Sequence, residues 1–254
     1  MSQAIDRDRL VSWLDELLEI DEWRDKSLNG LQVEGAERIR TVATATDAAL
    51  ATFEMAVEAD AQLLVVHHGI FWGESEPVTG PRRARLAALL GADLSLYAAH
   101  LPLDAHPEIG NNAVLADLLE IQDRTPFGRW GEREIGAIGA LPEPTTRETL
   151  AGRLEALLGE RPAVLGFGPG RISRVAIVSG DAAGLIDEAA TAGADAFVTG
   201  ERDHVAFHVA RERGIDVFFA GHYATETVGV RALGERISEE FGVESVFLDA
   251  PTGL

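Results

Sequence analysis

Apolar positions along the chain follow two spacings in turn, and these predict helices and strands. Leucines and a tryptophan between residues 10 and 18 recur at helical spacing, which predicts an amphipathic opening helix within residues 4–20. Residues 41–46 form a β-rich run, Asp47 is the expected cap of a helix that continues to about residue 59, and residues 61–66 form a second strand. This order predicts a parallel strand pair joined by a right-handed crossover.

The same alternation continues through the chain and predicts two domains. A helix at about residues 82–90 and a strand at 94–99 extend the first sheet. Pro126 and Gly128 interrupt the pattern within residues 122–131, which predicts a boundary there. Further strands, separated by helices and ending with an edge strand, are predicted at residues 135–141, 163–167, 175–179, 195–199, 217–220 and 245–248. We therefore predict an α/β fold of two similar α/β domains, with helices flanking largely parallel sheets.

The composition limits the kinds of site that the chain can build. The 254 residues are 46% hydrophobic and include no cysteine, so disulfides and thiolate metal sites are excluded and metal ligands must be nitrogen or oxygen atoms. No basic-then-apolar leader is present, and no apolar run reaches the roughly 18 residues of a membrane span. We expect a soluble, cytoplasmic protein without a membrane partner.

The charge balance is strongly acidic. The formal net charge is −20, from 42 acidic and 22 basic residues, and Lys26 is the only lysine. Such a surface repels phosphate backbones, so a nucleic-acid partner is not expected. A heavily carboxylated surface in which arginine replaces lysine is typical of adaptation to high salt, and we expect a halophilic protein.

Chemically active side chains follow several predicted strands. His67 and His68 come directly after the apolar run at 61–66, where a parallel sheet presents side chains to a ligand, and neutral imidazole is a common metal ligand. Asp104 lies shortly after the third strand. His222 and Glu226 are four residues apart at the start of a helix, so they share one face and can bind a common ion.

Five such donors exceed what one zinc ion takes, since a catalytic zinc site has three protein ligands and a water. Two ions about 3.5 to 4 Å apart would account for all five donors, with one carboxylate bridging the ions and a water or hydroxide between them. The alternative is that each histidine is satisfied independently in the fold. Residue spacing leaves both interpretations open.

Two more residues are candidates for moving protons. His100 precedes Asp104 by four residues and is interpreted as a group that orients a ligand or acts as an acid or base. Glu201 follows the predicted strand at 195–199 and is a candidate general base. A purely structural role is the alternative for each.

The remaining histidines and the arginines after the histidine pair have weaker signals. His106 is predicted to lie on a loop surface, and His204 and His208 on a solvated helix face. Arg82 and Arg83 are candidates for binding a substrate phosphate, with a solvated helix start as the equal alternative.

Several motifs closely resemble those of the Nif-three-like family, also described as GTP cyclohydrolase I type 2 homologues or dinuclear metal centre proteins. The resemblance covers nearly the whole chain, and the order of the motifs is the family's. The chain is similar to the short family form, without the extra domain that longer members insert. The motifs are HHGIFW at 67–72, HLPLDAHP at 100–107 with GNN at 110–112, GHYATE at 221–226, NGLQVEG at 29–35 and TGE at 199–201.

The resemblance implies a ligand set, a domain division and an assembly. It implies two divalent metal ions per subunit and a homohexameric ring whose metal sites face an inner cavity. The metal identity stays open, because Zn, Fe, Mn, Co and Ni all accept these nitrogen and oxygen donors. It also implies a metal-binding domain at 1–125 completed by 220–254, and a second domain at 126–219. The implied ligands are His67, His68, Asp104, His222 and Glu226, all unsubstituted here.

Two hypotheses about function follow. The first is a dinuclear metal-dependent hydrolase with a small-molecule substrate, a nucleotide being one candidate. In its GTP cyclohydrolase version, metal-bound hydroxide adds to the carbon between the imidazole nitrogens of GTP, the ring opens and formate leaves. The second is a metal-binding oligomeric scaffold or metal-handling protein without turnover. The sequence does not separate them.

Overall fold

A computed structural model describes residues 4–254, in which strands and helices alternate along most of the chain. No helix in these residues is both long and apolar enough to cross a membrane. The strands are β1 (Ile5–Asp6), β2 (Gly30–Val33), β3 (Arg38–Ile39), β4 (Thr41–Asp47), β5 (Leu63–His68), β6 (Ser95–Ala98), β7 (Gln122–Trp130), β8 (Arg133–Thr146), β9 (Ala163–Gly166), β10 (Arg171–Ile177), β11 (Ala196–Thr199), β12 (Asp216–Phe219) and β13 (Glu244–Phe247). The helices are α1 (Arg7–Leu17), α2 (Leu50–Glu58), α3 (Gly80–Gly91), α4 (Leu101–Ala105), α5 (Asn111–Leu118), α6 (Arg147–Leu158), α7 (Ile186–Thr191), α8 (Ala206–Arg213) and α9 (His222–Phe241).

The chain divides into two compact units. Unit 1 comprises the residues up to Leu103 together with Gly229–Ala250, and unit 2 comprises Asp104–Val228 with Pro251–Leu254. The C-terminal segment returns to unit 1, as expected, because β13 pairs with β4. The domain bounds inferred from the sequence, 1–125 with 220–254 and 126–219, stay a prediction.

Unit 1 is built on a five-stranded sheet in the order β13-β4-β5-β6-β2. Its first four strands are parallel, and β2 runs antiparallel to β6 at the edge. The central strand β5 is covered on both faces, since Leu63 to Val66 are fully buried, which explains its continuous apolar run. Phe53 of α2 and Leu89 of α3 pack into the core with Leu64 and Val66.

Unit 2 has a six-stranded sheet in the order β7-β8-β10-β11-β12-β9. The centre, β10-β11-β12, is parallel, whereas β7, β8 and β9 add antiparallel pairings at the two sides. Leu150 and Leu154 of α6 pack against Val198 and Phe218 of the parallel centre. The predicted α/β fold class is confirmed, and in this unit the parallel arrangement is confined to the middle of the sheet.

One local expectation was wrong. Asp47 does not cap α2: it is the last residue of β4, and the N-cap is Ala49, whose N–H donates to the Thr52 hydroxyl at 3.0 Å. Residues 122–131, where the sequence predicts a boundary, are largely strand β7. Pro126 fits there because β7 is an edge strand, where a missing N–H costs no ladder hydrogen bond to a second neighbour.

One polar contact ties α1 to the sheet of unit 1. The hydroxyl of Tyr97, buried on β6, donates to Asp15 Oδ1 at 2.8 Å. Burial raises the pKa of Asp15, and the hydrogen bond from Tyr97 opposes that rise. Burial and the neighbouring Asp15 charge raise the pKa of Tyr97 well above its usual value.

Replacing Tyr97 with phenylalanine should destabilise the protein by about 1–2 kcal/mol at neutral pH, since a half-buried carboxylate loses its donor. The loss should be larger at pH 7 than at pH 3. Because the folded-state pKa of Asp15 is raised, its contribution to stability is present at low pH and is lost as the pH rises. Removing the Tyr97 hydroxyl raises this pKa further, so the variant loses more stability at pH 7. Urea unfolding at both pH values measures the difference. In an Asp15→Ala background the effect of Tyr97→Phe should nearly vanish, and an unchanged effect there would contradict the assignment.

Candidate metal centre

In both units the candidate residues follow the carboxyl ends of parallel strands, which is where open α/β sheets bind ligands. In unit 1 these ends belong to the neighbouring strands β4, β5 and β6. In unit 2 they belong to β10, β11 and β12. The residues delivered there are Asp47, His67 with His68 and His100 in unit 1, and Ser179, Glu201 and His222 in unit 2.

The histidine pair at the end of β5 is oriented by two oxygen acceptors. His67 is fully buried, and its Nδ1 lies 2.9 Å from the carbonyl oxygen of Ala99. Because a carbonyl only accepts, Nδ1 carries the proton and the lone pair is on Nε2. His68 Nδ1 lies 2.9 Å from Asp47 Oδ1, which imposes the same tautomer on a neutral ring. Metal-binding histidines are held in this way by their second nitrogen.

His100 is held by a buried carboxylate. Its Nδ1 lies 3.0 Å from Asp25 Oδ2, and the Asp25 side chain is 3% exposed. Asp25 also accepts from the Asn29 amide and the Ser27 N–H. Burial would raise the pKa of Asp25, but the hydrogen bond and charge of His100, with these other donors, lower it to about 2. Asp25 is therefore a fixed anion that orients His100.

Three histidines lie close together and form the unit 1 histidine group: His67, His68 and His100. One ring nitrogen of each lies within 4.8 Å of the others. Their ring centroids are 4.7 to 5.6 Å apart. Three imidazoles are suitable ligands for Zn, Fe, Ni or Co, so the group fits a divalent ion.

In unit 2, Asp104 is buried on α4 and positioned by two side chains. Its Oδ1 accepts from the Asn111 amide at 2.8 Å and from the Ser179 hydroxyl at 3.1 Å. Ser179 follows β10, so the carboxylate is tied to the same sheet edge as the residues after β11 and β12. These two donors fix the orientation of the carboxylate, and a carboxylate binds metal in its ionised form.

Asn112 holds the surroundings of Asp104 together. Its amide N–H groups donate to the backbone carbonyls of Asp104 at 3.3 Å and Ile135 at 2.7 Å, and its oxygen accepts from the Ser179 N–H at 2.8 Å. Asn111 and Asn112 are both buried. The GNN motif at 110–112 thus supports the Asp104 carboxylate.

His222 and Glu226 start α9 and contact each other as their spacing predicts. His222 Nε2 lies 3.2 Å from Glu226 Oε2, and His222 Nδ1 lies 2.9 Å from Glu201 Oε2. The hydrogen bond with Glu226 and the charges of both carboxylates raise the pKa of His222 to about 9, although burial opposes this. Glu201 therefore orients His222. A carboxylate oxygen of Glu226 also lies within 4.8 Å of one from Asp104.

The absence of side chains at two glycines makes room for this unit 2 ligand group, which consists of Asp104, His222 and Glu226. Gly180 has φ +63°, and a Cβ there would lie 2.1 Å from Glu226 Oε1. A Cβ on Gly200 would lie 2.7 Å from the Cα of His222. The two glycines let the sheet edge approach α9 closely.

The other candidate histidines and arginines belong to neither of these groups. The His106 ring accepts from the N–H groups of Glu108 and Ile109 within its own loop. His208 is exposed on α8, and His204, which precedes that helix, is also exposed. Arg82 is engaged by Glu76 and lies over the Phe71 ring, whereas Arg83 is exposed. Their roles in the function stay predictions.

Sequence reasoning missed two carboxylates that orient histidines. Asp47 had a usable signal, because it ends a predicted strand just as the histidine pair does. Asp25 had none, since it lies in a charged stretch without periodicity. Ser179 also lies at a predicted strand end, but serine is not a residue type that indicates a metal site.

Comparison with known proteins gives matches over almost the whole chain. A family model described as Duf34/NIF3 (NGG1p interacting factor 3) matches residues 5–252. A Deinococcus radiodurans protein named GTP cyclohydrolase 1 type 2 homolog is 50% identical over 250 residues, covering 98% of this chain and 95% of its own. A Halobacterium salinarum protein of the same name is 47% identical over 249 residues, covering 96% and 98%.

Solved structures agree. The protein TTHA1606 from Thermus thermophilus is 45% identical and superposes with a TM-score of 0.92, covering 98% of this chain and 100% of its own. The resemblance inferred from the motifs is thereby confirmed.

Replacing Gly180 with alanine should weaken metal binding roughly 10- to 100-fold, because the new methyl group displaces the Glu226 carboxylate. Gly193→Ala is the matched control, since Gly193 also has a positive φ of +79° but no atom lies within 4 Å of its Cβ position. Both variants should lose about 1–2 kcal/mol of stability from backbone strain. Only Gly180→Ala should lose bound metal, measured by elemental analysis after dialysis. Equal retention in both would contradict the packing argument.

Asp25→Asn should lower the free energy of unfolding by roughly 1–2 kcal/mol at pH 7. A lowered folded-state pKa stabilises the protein above the unfolded value of about 3.9 and loses this contribution as the pH falls through about 2. The difference between natural protein and variant should therefore shrink from pH 4 to pH 2 in denaturant titrations. The exposed Asp21 provides the control variant Asp21→Asn, which should change stability little at either pH. A pH-independent difference for Asp25→Asn would argue against the buried anion.

Proposed function

Since the chain belongs to the Duf34/NIF3 family, we propose that it is a hydrolase that depends on two divalent metal ions and acts as a GTP cyclohydrolase I type 2 does. The observation that carries the proposal is the orientation of the histidines. His67 and His68 each have Nδ1 beside an oxygen acceptor, which leaves Nε2 as the metal-binding atom, and the ring of His100 is held in the same orientation. Purely structural histidines do not require one shared orientation.

In this proposal His67, His68, Asp104, His222 and Glu226 are the metal ligands. Imidazole nitrogens and carboxylate oxygens suit Zn, Fe, Mn, Co or Ni, and the chain has no thiolate to favour softer ions. The charges also fit, because two carboxylates offset part of the charge of two divalent ions. When bound, such ions lower the pKa of water toward about 7 and supply a nucleophile at neutral pH.

Proton movement is assigned to His100 and Glu201. His100 keeps its Nδ1 proton against Asp25, so Nε2 is the atom that exchanges a proton with substrate. The Glu201 side chain is 52% exposed, which gives it the solvent access that a general base needs. Glu201 also orients His222, and its replacement should affect both proton transfer and metal binding.

The reaction proposed is purine ring opening. A first water adds to the carbon between the two imidazole nitrogens of GTP, and one C–N bond breaks to open the ring and leave a formamide. A second water hydrolyses the formamide, which releases formate and leaves the amine. The names of the relatives support this substrate. We further propose that the subunits assemble as a homohexamer, that the protein works in the cytoplasm, and that its acidic surface is adapted to high salt.

Turnover is tested with metal-loaded protein in high salt, with GTP and with a generic phosphoester, by measuring formate and phosphate. Asp104→Ala should lower the rate by more than about 100-fold, because it removes a ligand that both Asn111 and Ser179 position. Glu239→Ala, which removes an exposed carboxylate of α9, should leave the rate unchanged. Stoichiometric metal with no turnover on any substrate would overturn the hydrolase and favour the metal-binding scaffold.

A further inference from the structure

An exposed indole ring lies beside the unit 1 histidine group and has no part in the reaction described above. We propose that Trp72 is the surface on which a flat heteroaromatic ring of the substrate stacks. The inference rests on the proposed function, which it deepens by assigning the residue that would hold the base of the substrate.

Trp72 is next to the imidazoles that would face the reaction. Its ring centroid lies 5.0 Å from that of His100 and 5.8 Å from that of His68. The rings meet at 74° and 47°, so neither imidazole covers a face of the indole by parallel stacking. A planar ring lying on the indole would be brought beside the two histidines.

The indole is held rigidly. Its Nε1–H donates to the carbonyl of Gly69 at 2.8 Å, and its backbone pairs with Ser27 in an antiparallel bridge. On either side, Gly73 N–H donates to the Lys26 carbonyl and Leu28 N–H to that of Phe71, at 2.7 and 3.0 Å. A rigid platform loses little entropy when a ligand lies on it, which favours binding.

Trp72 is nevertheless 38% exposed, although its indole N–H is satisfied and its backbone is fixed. Leu28, which comes directly after Ser27, is 58% exposed. A large apolar ring held at the surface gains free energy when a ligand covers it, and every nucleobase has a π-face that can do so.

The charge of the protein makes this contribution more important. With a net charge of −20, the chain offers little long-range attraction to an anionic phosphate. Stacking does not depend on net charge and is not screened by salt, whereas exposed charge pairs are. Binding energy from the ring would therefore persist where binding energy from the phosphate is weak.

The experiment measures equilibrium binding of GMP and of ribose 5-phosphate, which lacks only the base, to metal-loaded protein. Trp72→Leu removes the ring, and Trp72→Phe keeps a ring. Both variants lose the hydrogen bond to Gly69, so a difference between them reports the aromatic ring and not that hydrogen bond. Trp72→Leu should weaken GMP binding roughly 10- to 100-fold, whereas Trp72→Phe should stay within about threefold. Ribose 5-phosphate should bind weakly and equally to all three proteins.

The inference would be overturned by natural protein that binds GMP no better than ribose 5-phosphate, or by equal losses in the two variants. Equal losses would mean that the indole N–H supports the loop and that the ring has no ligand. Metal content, measured on every sample, separates this result from failure of the proposed function. Binding requires no turnover. A protein that binds GMP through the Trp72 ring but hydrolyses no substrate would therefore support this inference and contradict the hydrolase proposal.

Discussion

Every imidazole in the two ligand groups is held through Nδ1 by an oxygen atom, and the candidate site depends on this constraint. The acceptors are the Ala99 carbonyl and the carboxylates of Asp47, Asp25 and Glu201. Each acceptor belongs to a strand end or to the loop beside one. The sheet therefore fixes ring orientation as well as ring position. A histidine that could rotate would lose conformational entropy on binding an ion. Here the rings are already fixed in the folded protein, so that entropy is lost during folding and not on binding.

The parts of the site that the sequence predicted are those with local causes. His67 and His68 follow a buried apolar run, and His222 and Glu226 have helical spacing, so chain geometry alone places them on ligand-facing edges. The remaining support is non-local. Asp25 binds His100 across 75 positions of the chain, and Ser179 reaches Asp104 across the same separation. No periodicity encodes such pairs, because each depends on how loops are laid over a finished sheet.

The same distinction explains the fold. Parallel strands alternating with helices were predictable, since each βαβ unit is a local pattern. The antiparallel additions to the sheet of unit 2 were not, because β7 contains Pro126 and Gly128, residues that usually end a strand. An edge position tolerates both residues, and edge positions are known only once strand order is known. Asp47 was similarly predicted to start a helix. It is instead the last residue of β4, and its carboxylate orients the His68 ring.

Asn112 has a further consequence for anyone who shortens this chain. One amide binds the main chain of Asp104, of Ile135 on β8, and of Ser179, so the β7–β8 hairpin acts as scaffolding for a carboxylate far from it in sequence. Excising the hairpin to obtain a shorter protein would leave the Asn112 amide with a buried N–H that has lost its acceptor, the Ile135 carbonyl. Asp104 would then lose part of the hydrogen bonding that positions it, even where the rest of the sheet stays folded.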